Sequence, residues 1–385
     1  MTENRVLILG CGMIGSALAM DLSRQRSWRV TVADCCGERL TRVAAQYGVQ
    51  IREADLSRPE TVTALAAQHD LVVGALPSVI GFQTLRAIIE SGRHAVDISF
   101  MPENALALDA SAREKGVTAI VDCGVAPGLS HMMAGFAATE LAPCERIDIH
   151  IGGLPAERHW PYEYKAGFSP HDVIEEYVRP ARVVEHGHVV VKEALSETEL
   201  IDIPGVGTLE AFLTDGLRTL ADTLDVPFMK EKTLRYPGHV HLMRVLRDTG
   251  FFSKEPVTVG AHELRPLDLT SALLFPKWTF TEGEADLTIL RVAAEGHHMN
   301  ETVRYTWTLL DRYDPATGLR SMSRVTAFPA AIVARLVANG AFEPGVHPPE
   351  RVGQLGLLDV VLHELEERGV RCATTCTWRP PSAFA

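Results

Sequence analysis

The chain has 385 residues, 46% of them hydrophobic and 22% charged, which is ample apolar material for two cores and the composition of a globular protein. Its formal net charge of −12 argues against a nucleic-acid partner, whose phosphates such a surface repels. Seven cysteines at irregular spacings, with no repeated CxxC pair, leave no structural zinc pattern and predict no metal site; together with an N-terminus that runs straight into a strand, they predict a reducing, cytoplasmic setting.

In the first third, strand and helix signals alternate. Strands are predicted at 5–9, 29–34, 49–55, 71–76, 94–99 and 117–123. Between them the spacing predicts helices at 13–26, 39–46, 59–69, 79–90 and 102–115, the third opened by Ser57 as N-cap with Pro59 in its first turn. Six strands with five helical crossovers make a doubly wound, Rossmann-type parallel sheet, which sets the first domain at 1–125.

The pattern then changes. A linking helix is predicted at 129–141 and alternating strands at 146–153, 183–192, 264–267, 284–295 and 302–310, while 157–200 is polar, aromatic and without a βα repeat. We read 126–324 as a second, mixed α/β domain, a largely antiparallel sheet with helices. Residues 325–385 follow with helices at 330–338 and 357–368 and a short strand near Val370. No stretch approaches the ~18–20 apolar residues of a membrane span. A homodimer or higher homo-oligomer is the default expectation.

The sharpest motif is RVLILGCGMIG at 5–15. Gly10 permits the tight turn, Gly12 lets backbone approach a pyrophosphate, and Gly15 lets helix pack on strand, with Met13 and Ile14 opening a helix toward the phosphates. Asp34 ends the second strand nineteen positions after Gly15. A carboxylate there accepts ribose hydroxyls and repels a 2′-phosphate, so the cofactor expected is NAD, although Arg39 lies close enough in sequence to soften that preference. Asp55, ending the third strand, is either an adenine-side contact or a turn acid.

Ligands of such sheets sit beyond the carboxyl ends of the strands. Leu76 and Pro77 there offer apolar surface to a nicotinamide, Asp97 a carboxylate for an amine, and Cys123 either a participating thiol or a small buried apolar residue.

The segment VDCGVAPGLSHMMAG (121–135) resembles the crossing segment of the saccharopine dehydrogenase-like family. IHIGGLPAE (149–157), YKAGFSPHDVIEEYVRPARVVEHG (164–187), FLTDGLRTL (212–220), KTLRYPGHVHLMRVLRDTGFF (232–252) and GVHPPE (345–350) carry the same resemblance. The segments at 212–220 and 232–252 are most similar to lysine 6-dehydrogenases within it. The resemblance implies a nucleotide-binding domain with an inserted mixed α/β domain for substrate binding and dimerisation, 126–324, and a return segment, 325–385, packing on the nucleotide domain. It also implies an enzyme: NAD-dependent oxidation at a carbon bearing nitrogen, here the ε-carbon of L-lysine. Its products are ammonia, NADH and 2-aminoadipate 6-semialdehyde, which cyclises to a piperideine carboxylate.

That chemistry needs a cation for the substrate carboxylate, a site for the amine and a general acid/base. Arg218 and Arg235 are the candidate clamp. Asp97, Cys123 and Tyr236 stand for the amine end. Asp97, Lys165 and His239 are the proton-transfer candidates, His239 alternatively being a surface histidine on a polar helix. Two other readings compete: a saccharopine- or carboxynorspermidine-type reductase, and a non-catalytic NAD-binding scaffold.

Overall fold

The structure is a computed structural model, and it describes residues 4–299 and 301–379. The chain divides into two compact units, 1–136 with 323–371, and 137–322 with 372–385. The change of unit falls inside a helix, eleven residues later than the expected boundary at 125.

In the first unit, β1 (Asn4–Leu9), α1 (Met13–Ser23), β2 (Trp28–Asp34), α2 (Gly37–Tyr47), β3 (Gln50–Glu53), α3 (Pro59–Ala66), β4 (Leu71–Gly74), α4 (Ser78–Glu90), β5 (His94–Asp97), α5 (Asp109–Lys115) and β6 (Thr118–Ile120) follow one another. Apolar runs such as Val6–Leu9 and Leu71–Val73 are buried throughout, as strands covered on both faces must be. The helix expected at 102–115 is a 3-10 turn, Ala105–Leu108, followed by α5. Ser57 does not cap α3; the cap position is Arg58, and the Ser57 hydroxyl donates to Asp55 at 2.6 Å. All strand pairs are parallel, and the order runs β6-β5-β4-β1-β2-β3. The order therefore reverses between β1 and β4, which is where such sheets open a crevice.

Helix α6 (Leu129–Glu140) leads into the second unit. There the chain forms β7 (Cys144–Pro155), α7 (Pro170–Val178), β8 (Ala181–Glu185), β9 (His188–Lys192), β10 (Glu199–Ile203), β11 (Gly207–Leu213), α8 (Leu220–Thr223), β12 (Phe228–Arg235), α9 (His239–Thr249), β13 (Val257–Val259), β14 (His262–Leu264), α10 (Pro266–Trp278), β15 (Asp286–His298) and β16 (Glu301–Arg312). The strand expected at 183–192 is a hairpin instead, turned at His186 and Gly187, both with positive φ. The one expected at 264–267 is the end of β14 and the start of α10. The nine-stranded sheet is mixed, with β12 parallel to β7 and its other pairs antiparallel. Its helices bury Tyr177, Phe212, Val240, Met243 and Trp278 in one cluster.

The chain returns through α11 (Ser321–Ala338), β17 (Gly345–His347), α12 (Glu350–Gln354) and α13 (Leu358–Glu367). Strand β17 adds a seventh parallel strand beside β6. Helix α11 is 18 residues long with a mean hydropathy of 1.2, long and apolar enough to span a bilayer, and 83% of it is buried within the protein. The last strand, β18 (Cys372–Arg379), pairs with β16 in the second unit. Of the return segment expected at 325–385, residues 325–371 thus belong to the nucleotide unit, while β18 leaves it through ladder hydrogen bonding to the edge of β16.

Candidate active site

The turn between β1 and α1 is built for close approach. Gly10 has φ +99°, and a side chain on it would strike the carbonyl of Ala75. A side chain on Gly15 would strike the carbonyl of Gly10, so helix and turn interlock only with glycine at both places. At Gly12 a Cβ would meet nothing within 4 Å, which leaves open space over the backbone at the start of α1. Gly12 is also the N-cap of α1 and offers no side-chain acceptor. Met13 is exposed and Ile14 half-buried beside it.

Asp34 ends β2, 8% exposed. One carboxylate oxygen accepts from the Cys11 N–H at 2.6 Å, the other from the Cys36 N–H at 2.8 Å. Each oxygen keeps a lone pair for a ribose hydroxyl, and the carboxylate is held between the glycine turn and the start of α2. The residues present thus fit a dinucleotide. Asp55 is exposed and accepts from the Ser57 N–H and hydroxyl, which hold its carboxyl below the usual range; it serves the turn before α3. Leu76 packs beside Gly10, and the exposed Pro77 caps α4.

Beyond β4, Asp97 ends β5 and is only 1% exposed. Its carboxyl accepts from the Ser99 N–H at 2.8 Å and the Ser99 hydroxyl at 3.3 Å, an arrangement in which the side chain mimics a backbone turn. It lies directly over Gly74, where any side chain would collide with it. Burial pushes this carboxyl up to about 7, with the Asp122 charge adding to the effect and the Ser99 hydrogen bonds opposing it. Cys123 donates its N–H to the Asp97 carbonyl at 2.9 Å and is fully buried, and burial pushes its thiol far above the usual range. The structure therefore brings Asp97 and Cys123 together but leaves the thiol protonated. Ser99 stands in the strand-end triplet Asp97-Ile98-Ser99 that the sequence points to, but its role as the partner of the Asp97 carboxyl comes from the structure.

The second unit receives the other candidates. Lys165 is paired with Glu284 at 2.6 Å and lines a cleft of about 540 Å3 with His159, Trp160, Tyr162, Tyr164 and Lys277. His159 stands 3.8 Å from the other Glu284 oxygen, which is buried and has no hydrogen bond, and Trp160 is 89% exposed at the rim. Glu284 is drawn below its usual range by Lys165 and the Thr281 hydrogen bonds, against its own partial burial.

Three candidates turn out to be committed inside the fold. Arg235, 2% exposed, pairs with Glu176 at 2.7 Å and stacks over the Tyr164 ring at 4.5 Å. Burial works against its charge, but Tyr164, Tyr177 and Glu176 more than offset this. The guanidinium expected to clamp a substrate carboxylate already has its anion. His239 is not a surface residue but is 2% exposed, between the Tyr177 hydroxyl and the Tyr162 carbonyl, both at 2.9 Å. Burial, with Arg235 nearby, lowers it to about 3, so the ring is neutral at pH 7 and no acid. The Tyr236 hydroxyl donates to the Pro155 carbonyl at 3.0 Å, and Arg158 covers its ring. Arg218, buried and with φ +49°, lies in the loop after β11.

A parallel sheet with a glycine turn, an acid at the end of β2 and an apolar lip at β4 define a nicotinamide-dinucleotide-binding unit, here joined to a mixed-sheet unit. Residues 6–120 match the Saccharopine dehydrogenase NADP binding domain and residues 124–370 the Saccharopine dehydrogenase C-terminal domain. The chain belongs to the saccharopine dehydrogenase family.

It is 27% identical over 281 residues to the mitochondrial alpha-aminoadipic semialdehyde synthase of Mus musculus, across 69% of this chain and 30% of that one. The chain thus spans about a third of that relative's length. It is 22% identical to the NADP(+)-linked, L-glutamate-forming saccharopine dehydrogenase of Schizosaccharomyces pombe, covering 95% of this chain and 97% of that one. The apo L-Glu-forming saccharopine dehydrogenase of Saccharomyces cerevisiae shares the fold, with a TM-score of 0.78 over 97% of this chain and all of that one, at 18% identity.

Proposed function

We propose that this protein is a nicotinamide-dependent oxidoreductase of lysine metabolism that oxidises the ε-carbon of L-lysine with NAD. Lysine, NAD+ and water give 2-aminoadipate 6-semialdehyde, ammonium, NADH and a proton. The observation that carries the reading is Asp97: a carboxyl buried at the sheet's ligand-binding edge, next to the apolar lip of Leu76 and Pro77, and near 7 rather than near 4.

The substrate amine has an ordinary pKa of ~10.4 and reaches the site as an ammonium, but its nitrogen lone pair must be free for the carbon to lose hydride. Asp97 as a carboxylate takes that proton. It then holds the proton at Oδ1 or Oδ2 for the departing ammonia once water has added to the carbon. Ser99 fixes the orientation of the carboxyl throughout. When bound, the nicotinamide ring accepts the hydride. Asp34 favours the unphosphorylated ribose.

The test is a panel of L-lysine, saccharopine and ornithine, each with NAD and with NADP, followed at the absorbance of the reduced cofactor. Lysine with NAD is expected to turn over fastest. A second reading, oxidation of the secondary amine of saccharopine with NADP, is favoured by the names of the relatives; turnover of saccharopine but not lysine would install it. Nucleotide binding without turnover of any of the three would instead favour a scaffold.

A further inference from the structure

Gly81 lies in the first turns of α4 and is buried. Its φ is negative, so the backbone there does not call for glycine, which is a poor helix former. What requires glycine is a neighbour. A Cβ on Gly81 would stand 2.7 Å from the Ser99 Cβ and 3.2 Å from the Ser99 hydroxyl oxygen, the first closer than carbon atoms pack. The Met101 Cβ would come next at 3.5 Å, an ordinary contact.

That neighbour is the partner of Asp97. The Ser99 N–H donates to Asp97 Oδ1 at 2.8 Å and its hydroxyl to Oδ2 at 3.3 Å, and both residues are buried. The hydroxyl bond at 3.3 Å is already longer than the usual range of roughly 2.5–3.0 Å, so a small displacement ends it. Oδ2 itself fills the space over Gly74, where a Cβ would stand 2.1 Å from it. The link at 75–77 is therefore flanked by two glycines, Gly74 under the carboxyl and Gly81 against the serine. The ionisable groups facing the carboxyl are Asp122 and the Cys123 thiol, from the segment after β6, while β4 and α4 present these glycines. Both Ser99 bonds favour the carboxylate over the acid, and the Asp122 charge opposes them.

We propose that Gly81 is a positioning residue for Asp97, acting through Ser99: because α4 carries no side chain at this point, the Ser99 hydroxyl reaches the carboxyl. The proposal deepens the acid/base reading of Asp97 and rests on it for its consequence in turnover. A methyl group at position 81 meets the Ser99 Cβ, which cannot swing aside as the tip of a long side chain can. The serine shifts, the carboxylate loses a donor, and the acid form persists to higher pH.

The experiment is carbon-13 NMR of the full chain labelled at its aspartate carboxyls and titrated with pH, without cofactor or substrate. The proteins are wild type, Gly81→Ala, Ser99→Gly and the double variant, with Asp97→Asn to assign the resonance. Loss of the hydroxyl bond is expected to raise the Asp97 midpoint in Gly81→Ala by about one pH unit, tenfold in its protonation equilibrium. In the Ser99→Gly background the clash is gone, and Gly81→Ala should add less than about a third of that shift. An unmoved midpoint in Gly81→Ala overturns the proposal, and so does an equal further shift in the Ser99→Gly background. Should Gly81→Ala alone fail to fold, a folded double variant supports the contact with Ser99 and an unfolded one overturns it. With lysine and NAD, the limb of the rate profile near pH 7 should move with the midpoint. A midpoint that moves while the limb stays ends the acid/base reading of Asp97 and leaves the role of Gly81 standing.

Discussion

Two buried ionisable groups, Arg235 in the second unit and Asp97 in the first, are held in opposite ways. On β12, Arg235 is buried against its counter-charge Glu176 at 2.7 Å, whereas Glu231 on the same strand accepts only from the neutral Thr214 hydroxyl and burial pushes it up to about 8. At the end of β5, Asp97 is buried as deeply but among the described residues is hydrogen-bonded only to Ser99 and has no ion pair. A buried pair is satisfied and inert. A buried acid with only neutral donors keeps its proton until near neutrality and can pass it on. Burial alone therefore does not mark a candidate; what separates Asp97 from Glu231, which also lacks a counter-charge, is its place at a strand end, where ligands of such sheets sit.

The strongest test of that contrast is Asp97→Asn. Loss of a general acid/base costs typically 10²–10⁴-fold in turnover, and the limb of the rate profile near pH 7 should disappear with it. Its stability effect has a definite sign. A carboxyl raised from 3.8 to about 7 in the folded state binds more protons there than in the unfolded chain. Folding stability therefore falls as pH rises from about 4 to about 7, by an amount on the order of 2–4 kcal/mol, and Asp97→Asn should remove the fall. Urea melts of both proteins at pH 5 and pH 8 measure it. A variant that keeps full turnover would place the acid/base elsewhere.

The opposite outcome is expected at Arg235. Arg235→Ala leaves Glu176 buried without its cation and should cost about 3–5 kcal/mol. The double replacement Arg235→Met with Glu176→Gln should regain most of it. If Arg235 is scaffolding, KM of the well-folded double variant stays near that of wild type. A large rise in KM alone would return Arg235 to the substrate clamp.

This contrast also marks what the sequence could reveal. Gly10, Gly12, Gly15 and Asp34 are legible because a turn, a helix start and a strand end are local events, and the parallel strands are legible as short buried runs. The segment 157–280 is not. His186 turns a hairpin although it is not glycine, and α10 buries Thr270, Ser271, Leu274 and Trp278 while exposing Leu269 and Leu273, so no simple apolar stripe announces it. The roles of Arg235 and His239 depend on partners from α7 and from the chain before it, far away in sequence. Asp97 was visible as a strand-end acid, but its position near 7 comes from packing around it, which no spacing records. The return of β18 to the second unit is equally non-local.

His239 gives a smaller effect with the reverse pH sign. Its folded value of about 3 lies below the ordinary 6.5, so the unfolded chain binds the proton first. Wild type should therefore lose stability relative to His239→Gln as pH falls from about 6.5 toward 3. At pH 7 the variant gives up hydrogen bonds to Tyr177 and Tyr162, worth about 1–3 kcal/mol in circular-dichroism melts. The rate profile near pH 7 should not move, because a neutral ring contributes no titration there. A shifted limb would make His239 the proton carrier and demote Asp97.

The smallest effect is expected at the residue whose chemistry looks most reactive on paper. Cys123 touches the Asp97 segment through its backbone, and that contact survives any side-chain change. Its thiol is fully buried and burial holds it protonated, so it is neither a nucleophile nor a proton relay near neutrality. Cys123→Ala removes about one methylene's worth of packing, roughly 1 kcal/mol, and should leave turnover within a few-fold and the pH profile unmoved. Alkylation with iodoacetamide should likewise spare Cys123 in the folded protein while labelling the exposed Cys35, a difference that peptide mass spectrometry reads directly. Protection of Cys123 lost on adding cofactor and substrate would mean that the site opens around the thiol, and the line between a satisfied and an available buried group would then have to be drawn in the complex.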